Sequence, residues 1–186
     1  LYQYLKRKGH SVVYLREPGC TRISEKIRKI LLDPKNHITP VSEMLLYMAA
    51  RAQVVKEVVE PALSKGMIVI CDRFLDSTLA YQGFGLGMDI AFIKYTGRFV
   101  TAGINPCLTL FLDLPVKKGL KHRQFSKDRI EQRTFSYHLR VMAGYHKLAQ
   151  QEPKRIKIVK VEKDKEQTQL RIRELVDRYV IQGYKR

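Results

Sequence analysis

The sequence has only three cysteines, no initiating methionine and no long apolar run. Cys20, Cys71 and Cys107 stand far apart and form neither a C-x-x-C pair nor a cluster with histidine, which argues against a disulfide scaffold and against a zinc site. Isolated cysteines in an odd number are typical of reduced thiols, so we expect a cytoplasmic protein.

No apolar stretch approaches the roughly 20 residues that a membrane-spanning helix needs, and the sequence contains no signal-peptide pattern. We therefore expect no membrane partner.

Acidic residues are scarce relative to basic ones. Lysine and arginine number 35 against 18 aspartate and glutamate, a formal net charge of +17. This balance favours anionic partners: nucleotides, nucleic acid or a membrane surface. The bases are dispersed, with modest clusters at 117–133, 154–165 and the C-terminus, and dispersed charge is mostly solvated surface. The 186 residues are 45% hydrophobic, enough for a core, so we expect one domain over 1–186.

Short apolar runs alternate with helical patterns along the whole chain. Such alternation predicts an α/β fold with a doubly wound parallel sheet flanked by helices. We also expect a mobile glycine-rich connection at 83–87 and a kink or restart at Pro61. The predicted strands are 11–15, 67–71, 108–112 and 156–161, and the predicted helices are 23–32, 40–65, 88–100, 135–152 and one near 172–180.

The chain is organised around residues 68–83. Residues 67–71 are apolar and rich in β-branched side chains, which predicts a strand covered on both faces. Asp72 and Arg73 follow where this strand ends, and ligands of parallel sheets bind beyond such ends. Asp72 is suited to Mg²⁺ and Arg73 to a phosphate, although a solvated pair at a strand end remains the alternative. Four further polar side chains follow on a predicted helical turn: Ser77, Thr78, Tyr81 and Gln82.

Tyr47 and Arg51 form a second candidate pair, on the predicted helix 40–65. Side chains four residues apart on a helix lie about 5–6 Å apart at their Cβ atoms. An aromatic ring and a guanidinium on one face can bind the base and the phosphate of one nucleotide. An ordinary pair at the boundary of the core is the alternative.

Together these motifs resemble bacterial thymidylate kinases in order and spacing over essentially the whole chain. Each motif is weak alone, but the set is highly specific. It consists of Arg16-Glu17-Pro18-Gly19, Ala49-Ala50-Arg51-Ala52-Gln53, Asp72-Arg73-Phe74, Asp76-Ser77-Thr78, Ala80-Tyr81-Gln82-Gly83 and Asp128-Arg129-Ile130-Glu131. The resemblance implies the fold of P-loop nucleoside monophosphate kinases and transfer of the γ-phosphoryl group of ATP to dTMP with Mg²⁺. It also implies homodimers that pair through helices.

The resemblance further implies a dTMP site assembled from several motifs. It assigns the phosphate of dTMP to Arg51 and Arg73. It assigns the base to Tyr47, Thr78 and Gln82, the sugar to Tyr81, and the border of the pocket to Arg16 and Pro18.

The basic segment 117–133 corresponds to the lid that closes over ATP in this family. Arg123, Lys127 and Arg129 are its candidate phosphate ligands, and Arg123 and Arg129 join Arg73 and Asp72 as candidate catalytic residues. A solvated basic loop is the alternative for each base taken singly. Asp72 and Asp128 are the candidate metal ligands, and Glu131 is expected to orient a lid arginine or to cap a helix.

The chain departs from the family at three points. Cys20 replaces a second glycine, and Val161-Glu162 replaces the usual Asp-Ala near the adenine. No G-x-x-x-x-G-K-[ST] phosphate loop occurs, and with its strand it would comprise roughly twenty residues. We expect the sequence to be a fragment whose central first strand is absent, poorly folded alone and without kinase activity. A natural pseudo-enzyme that has lost ATP binding is the alternative.

Two other function classes compete with this interpretation. The charge of +17 is compatible with a nucleic-acid-binding module, but that class does not explain Asp72-Arg73 after a buried strand, so we expect no nucleic-acid partner. A deoxynucleoside kinase is the second alternative, because such enzymes have a similar pair of an acidic residue and an arginine after a strand. Arg51 and Arg73 together favour an acceptor that already carries a phosphate.

Overall fold

The computed structural model describes residues 1–121 and 128–183 and shows helices alternating with parallel strands. The predicted α/β class is confirmed. The strands are β1 (Val12–Arg16), β2 (Ile68–Asp72), β3 (Thr109–Asp113) and β4 (Ile156–Lys160). The helices are α1 (Tyr2–Arg7), α2 (Arg22–Leu32), α3 (Pro40–Val54), α4 (Glu60–Ser64), α5 (Leu75–Thr78), α6 (Ile90–Val100), α7 (Val116–Lys121), α8 (Phe135–Gln151) and α9 (Lys165–Val176).

Three helices continue through wider π-helical turns. Val55–Val59 joins α3 to α4, Leu79–Gly85 extends α5, and Asp177–Ile181 extends α9. The first of these precedes Pro61, which has no backbone N–H to donate and whose ring crowds the turn before it. The kink or restart expected at this proline takes the form of that wider turn.

The strands form two separate parallel pairs. β1 pairs with β2 in the register Val12↔Ile68 to Arg16↔Asp72, and β3 pairs with β4 from Thr109↔Ile156 to Asp113↔Lys160. Among the described residues, no ladder joins β2 to β3. All strands of a pair run in one direction, so their carboxyl ends meet at one edge, where residues 17, 18 and 73 follow β1 and β2.

The prediction that β2 is covered on both faces is wrong. Every residue of β2 is only partly buried or exposed, and β3 is similar. Apolar side chains of both strands, Ile68 and Ile70 of β2 and Leu110 of β3, pack with the preceding Leu108 on a cluster around Leu5. Each strand nevertheless has one unpaired edge in the described structure, which leaves its backbone and side chains more accessible than the apolar run suggests.

The expected mobile connection at 83–87 is also corrected. Leu79–Gly85 is helical, and Gly83 and Gly85 are buried. A Cβ atom on Gly85 would lie 2.7 Å from the Tyr137 ring and 2.9 Å from Val141, so this glycine permits close approach of α8. Gly83 and Gly85 therefore permit close helix packing. Sequence composition alone does not distinguish such glycines from those of a flexible loop.

The core lies where α3, α6 and α8 meet the helix after β2. Met44, Met48, Ile93 and Leu148 are at most 2% exposed within one cluster. Within the described ranges, no helix combines the length and the apolar character needed to cross a membrane. The three cysteines are free thiols.

Candidate functional site

A cleft of about 260 Å³ opens beside the carboxyl ends of β1 and β2. Residues predicted from separate motifs come together here. They are Pro18, Tyr47, Arg51, Arg73, Thr78, Tyr81, Gln82 and Asp128. The remaining lining residues are Glu17, Arg28, Leu32, Ser77, Ile130, Glu131 and His138.

Arg51 reaches the cleft from α3 with its charge already paired. Its Nε donates to Glu17 Oε2 at 2.8 Å, and its Nη1 donates to the hydroxyl of Thr78 at 3.0 Å. Arg51 and Glu17 are only 2% and 3% exposed. Burial raises the pKa of Glu17, while the nearby Arg51 opposes that rise. The second Glu17 oxygen, Oε1, is buried without a hydrogen-bond partner among the described residues.

Arg73 is the less neutralised guanidinium of the cleft. Its Nη2 donates to the Tyr81 hydroxyl at 3.2 Å, and its guanidinium lies 4.8 Å from the centre of the Tyr81 ring. The backbone of Arg73 has φ of +74°, a left-handed conformation that costs energy in a residue with a side chain. This conformation breaks the strand after Asp72 and turns the chain into α5, with Arg73 lining the cleft at the break.

The aromatic residues of the cleft are partly buried. Burial, together with the negative charge of Glu43, raises the pKa of Tyr47 to about 12, so its ring remains neutral and suited to stacking. Tyr81 makes edge-to-face contacts with Tyr137 and Tyr145, at centroid distances of 6.3 and 6.4 Å. These contacts fix the ring of Tyr81 against α8.

A buried ionic network anchors the helix that presents Thr78 and Gln82. Asp76 accepts hydrogen bonds from Arg155 Nη1 at 2.7 Å and Nη2 at 2.8 Å, and from the Thr109 hydroxyl at 2.8 Å. This bidentate pair ties α5 to the starts of β3 and β4. Contacts with the second pair of strands, β3 and β4, therefore fix the position of α5 beside the cleft.

Glu43 was not predicted as a site residue, yet it connects three parts of the site. It is fully buried, and its Oε1 accepts from Gln82 Nε2 at 2.8 Å. Its Oε2 accepts from Arg129 at 2.5 Å and from Arg133 at 2.6 Å. Glu43, Tyr47 and Arg51 lie at intervals of four residues on α3, and this spacing was the available signal.

The predicted lid residues are only partly described. Arg129 does not line the cleft, because its Nε donates to the Leu31 carbonyl oxygen at 2.9 Å and its Nη2 to Glu43. Its guanidinium is largely buried and is paired with Glu43 in this structure, and its role toward ATP stays a prediction. Arg123 and Lys127 lie outside the described residues.

The remaining predicted residues are placed as follows. The side chain of Arg16 is exposed and does not line the cleft, whereas its neighbours Glu17 and Pro18 do. Asp72 is exposed at the end of β2, directly before Arg73. Asp128 Oδ1 accepts the backbone N–H groups of Ile130 and Glu131, both at 2.9 Å, so this aspartate caps a turn while lining the cleft.

A larger groove of about 570 Å³ lies elsewhere, between the end of α8, β4 and α9. Its lining is mainly apolar and aliphatic, and no predicted site residue lies in it. The smaller cleft has converging charges, hydroxyls and aromatic rings, which are the features of a specific ligand site. Chemistry therefore favours the cleft despite its smaller volume.

Comparison with known proteins gives a consistent result. The thymidylate kinase family model matches residues 1–172. The thymidylate kinase of Kosmotoga olearia is 45% identical over 159 residues, covering 84% of this chain and 76% of the relative. That of Geotalea uraniireducens is 46% identical over 169 residues, covering 86% and 79%. The crystal structure of thymidylate kinase from Ehrlichia chaffeensis superposes with a TM-score of 0.74 at 28% identity, covering 94% of this chain and 86% of that one.

Proposed function

Because this chain belongs to the thymidylate kinase family, with the P-loop NTPase fold and a nucleoside monophosphate kinase role, we propose that its cleft binds dTMP as the acceptor for the γ-phosphoryl group of ATP. The observation that carries this proposal is the meeting of Arg73, Arg51 and Tyr47 in one cleft. A nucleoside monophosphate carries a flat base and a phosphate that are joined by a sugar. An aromatic ring can stack on the base while two nearby guanidiniums bind the phosphate.

Arg73 is the principal ligand of the acceptor phosphate in this proposal. Its guanidinium contacts Tyr81 and forms no salt bridge within 4 Å among the described residues, whereas Arg51 is paired with Glu17 and contributes less net charge. Tyr47 stacks on the base, and Thr78 and Gln82 meet its edge. Tyr81 lies against the sugar and holds Arg73 in place.

Positioning is the main contribution of these residues to the reaction. In phosphoryl transfer the protein aligns the attacking oxygen and neutralises charge, and it supplies little covalent chemistry. Arg73 orients the acceptor phosphate by charge and hydrogen bonding, and its contacts with the hydroxyl and ring of Tyr81 keep that guanidinium in place.

Asp72 is the first candidate ligand of Mg²⁺. This exposed carboxylate follows β2 beside Arg73, next to the residues that line the cleft. That arrangement suits Mg²⁺, which is usually held by one or two carboxylates together with substrate phosphates. When bound, the ion would neutralise negative charge on the transferring group. Asp128 is the second candidate ligand.

Thymidine and dTMP as separate acceptors test the proposal. With ATP and Mg²⁺, a version of the protein that carries a glycine-rich phosphate loop should convert dTMP to dTDP and leave thymidine unchanged, because the guanidiniums of the cleft need a phosphate to bind. Turnover of thymidine without turnover of dTMP would show a deoxynucleoside kinase instead.

We also propose that the 186 residues by themselves lack kinase activity. They contain no glycine-rich phosphate loop, whose backbone N–H groups and lysine would hold the ATP phosphates. The unpaired edges of β2 and β3 add a second reason, since the strands that frame the site lack neighbours there. ATP-dependent dTDP formation by the chain as given, together with cooperative thermal unfolding, would refute this proposal.

Two helices expose apolar surface suited to a second copy of the chain. On α6, Phe92, Tyr95 and Phe99 are 50%, 78% and 82% exposed, while Ile93 on the opposite face is fully buried. On α3, Val41 and Leu45 are also exposed. We propose that these faces pair in a homodimer. Sedimentation velocity should give a dimer for the wild type and a monomer for Phe99→Lys, and a monomeric wild type at micromolar concentration would contradict the pairing.

We further assign the protein to the cytoplasm. All three cysteines are free thiols, which suits a reducing compartment. Fractionation of cells that carry the native gene would test this assignment.

A further inference from the structure

The hydrogen-bonding direction of Gln82 is fixed by a buried charge. Its Nε2 donates to Glu43 Oε1 at 2.8 Å, and a carboxylate paired with guanidiniums acts as an acceptor. The amide NH₂ group is therefore directed to Glu43. The amide oxygen is what Gln82, which lines the cleft, has available for a ligand.

Both oxygens of the Glu43 carboxylate already accept hydrogen bonds from described residues. Its other oxygen, Oε2, accepts from Arg129 and Arg133 at 2.5 and 2.6 Å, and the side chain is fully buried. A flipped Gln82 amide would place its oxygen against the carboxylate, so two acceptors would face each other in a buried environment, which is strongly unfavourable.

Thr78 is available to donate a hydrogen bond to a ligand, whereas Gln82 is available to accept one. Its hydroxyl oxygen accepts from Arg51 Nη1 at 3.0 Å, which leaves its own hydrogen to donate. Thr78 precedes Gln82 by four residues, and both line the cleft. Two buried charged residues, Arg51 in the wall of the cleft and Glu43 behind it, thus define a donor and an acceptor.

We propose that Glu43 is a positioning residue that sets the base selectivity of the cleft, by holding Gln82 with its amide oxygen toward the substrate. The donor and acceptor pattern complements a ring that carries a carbonyl oxygen beside an N–H group, as thymine and uracil do. Cytosine held in the same orientation presents an amino group and an unprotonated ring nitrogen, the reverse pattern. This inference rests on the proposed binding of a pyrimidine monophosphate in the cleft.

The test compares the dissociation constants of dTMP and dCMP by isothermal titration calorimetry. Glu43→Gln keeps the size of the side chain, but the new amide can either donate a hydrogen bond to Gln82 or accept one from it. The Gln82 amide can therefore adopt either orientation. The preference of the protein for dTMP over dCMP should then fall about tenfold, the value of one hydrogen bond whose direction is no longer imposed. Glu57→Gln is the matched control, because Glu57 bonds the side chain of Gln53 on the exposed surface of the same helical segment. It should leave the preference unchanged.

A second variant covers the case in which Glu43→Gln does not fold, as judged by circular dichroism. Gln82→Met removes the amide at similar volume and should lower the preference by a similar factor. An unchanged preference in folded Glu43→Gln, or in Gln82→Met, would overturn the role of Glu43. Failure of the wild type to bind dTMP at all would instead overturn the proposed function, so the two results are distinct.

Discussion

Arg51→Met should destabilise the protein in a way that depends on pH. The Arg51–Glu17 pair has an N–O distance of 2.8 Å, and both side chains are almost fully buried. At charge separations near 4 Å and an effective dielectric constant near 20, their attraction is about 4 kcal/mol. Methionine removes that attraction and leaves the carboxylate buried alone, so we expect the free energy of unfolding to fall by about 3–5 kcal/mol at pH 8.

The direction of the pH dependence follows from the pKa of Glu17. Burial raises this pKa above its ordinary value of 4.5, and Arg51 opposes the rise, so Arg51→Met should raise it further. A carboxyl group with a raised pKa in the folded state stabilises that state below its unfolded pKa and loses this contribution as pH rises through the folded value. The difference between wild type and Arg51→Met should therefore be largest at pH 8 and shrink as pH falls toward 4.5.

Urea unfolding at a series of pH values measures this difference. Lys56→Met is the matched control, because Lys56 pairs with Glu60 at the same 2.8 Å but is 80% exposed. Because this pair is solvated, Lys56→Met should change the free energy of unfolding far less than Arg51→Met does. The double variant Arg51→Met with Glu17→Gln removes both charges and should recover much of the loss. A constant difference across pH, or a double variant no more stable than Arg51→Met, would refute the reasoning.

Three further predictions concern the acceptor and the packing. Arg73→Met should weaken dTMP binding by about 2–5 kcal/mol in calorimetry and leave thymidine binding nearly unchanged, and equal effects on both would contradict its role at the phosphate. The thymine methyl group is worth about 1–3 kcal/mol, so dUMP should be phosphorylated slowly in a coupled assay, and no turnover at all would indicate a stricter pocket. Gly144→Ala would place a Cβ atom 2.7 Å from the Phe84 side chain, which should lower the free energy of unfolding by about 1–3 kcal/mol. At Gly119, where the nearest atom would be 3.9 Å away, the same change should be neutral or stabilising in urea unfolding.

The sequence predicted most elements within a few residues because the apolar periodicities were strong. The family resemblance implied that Arg73, after β2, and Arg51, on α3, would share a cleft, and both residues line it. Burial of β2 was overestimated for a physical reason. An apolar pattern reports what a strand is suited to pack against, whereas the described structure leaves one edge of β2 without a neighbour.

The glycines and the lid were harder to interpret. Gly83 and Gly85 suggested flexibility, yet Gly83 allows α6 and Gly85 allows α8 to approach the helix after β2, and only a three-dimensional neighbour reveals that. Arg129 was assigned to ATP because the family resemblance places it in the lid. Its partner, Glu43, lies far away in the sequence, so no local pattern could pair them.

Two buried glutamates show why the polar residues of the cleft cannot be interpreted singly. Glu17 and Glu43 look like ordinary surface charges in the sequence, since glutamate is rarely buried without a partner. In the fold, Glu17 holds Arg51, which bonds Thr78, and Glu43 holds Gln82. The hydrogen-bonding direction of Thr78 is thus set by Arg51, and that of Gln82 is set by Glu43. Changing either glutamate should alter what the cleft recognises, although neither one needs to touch the base.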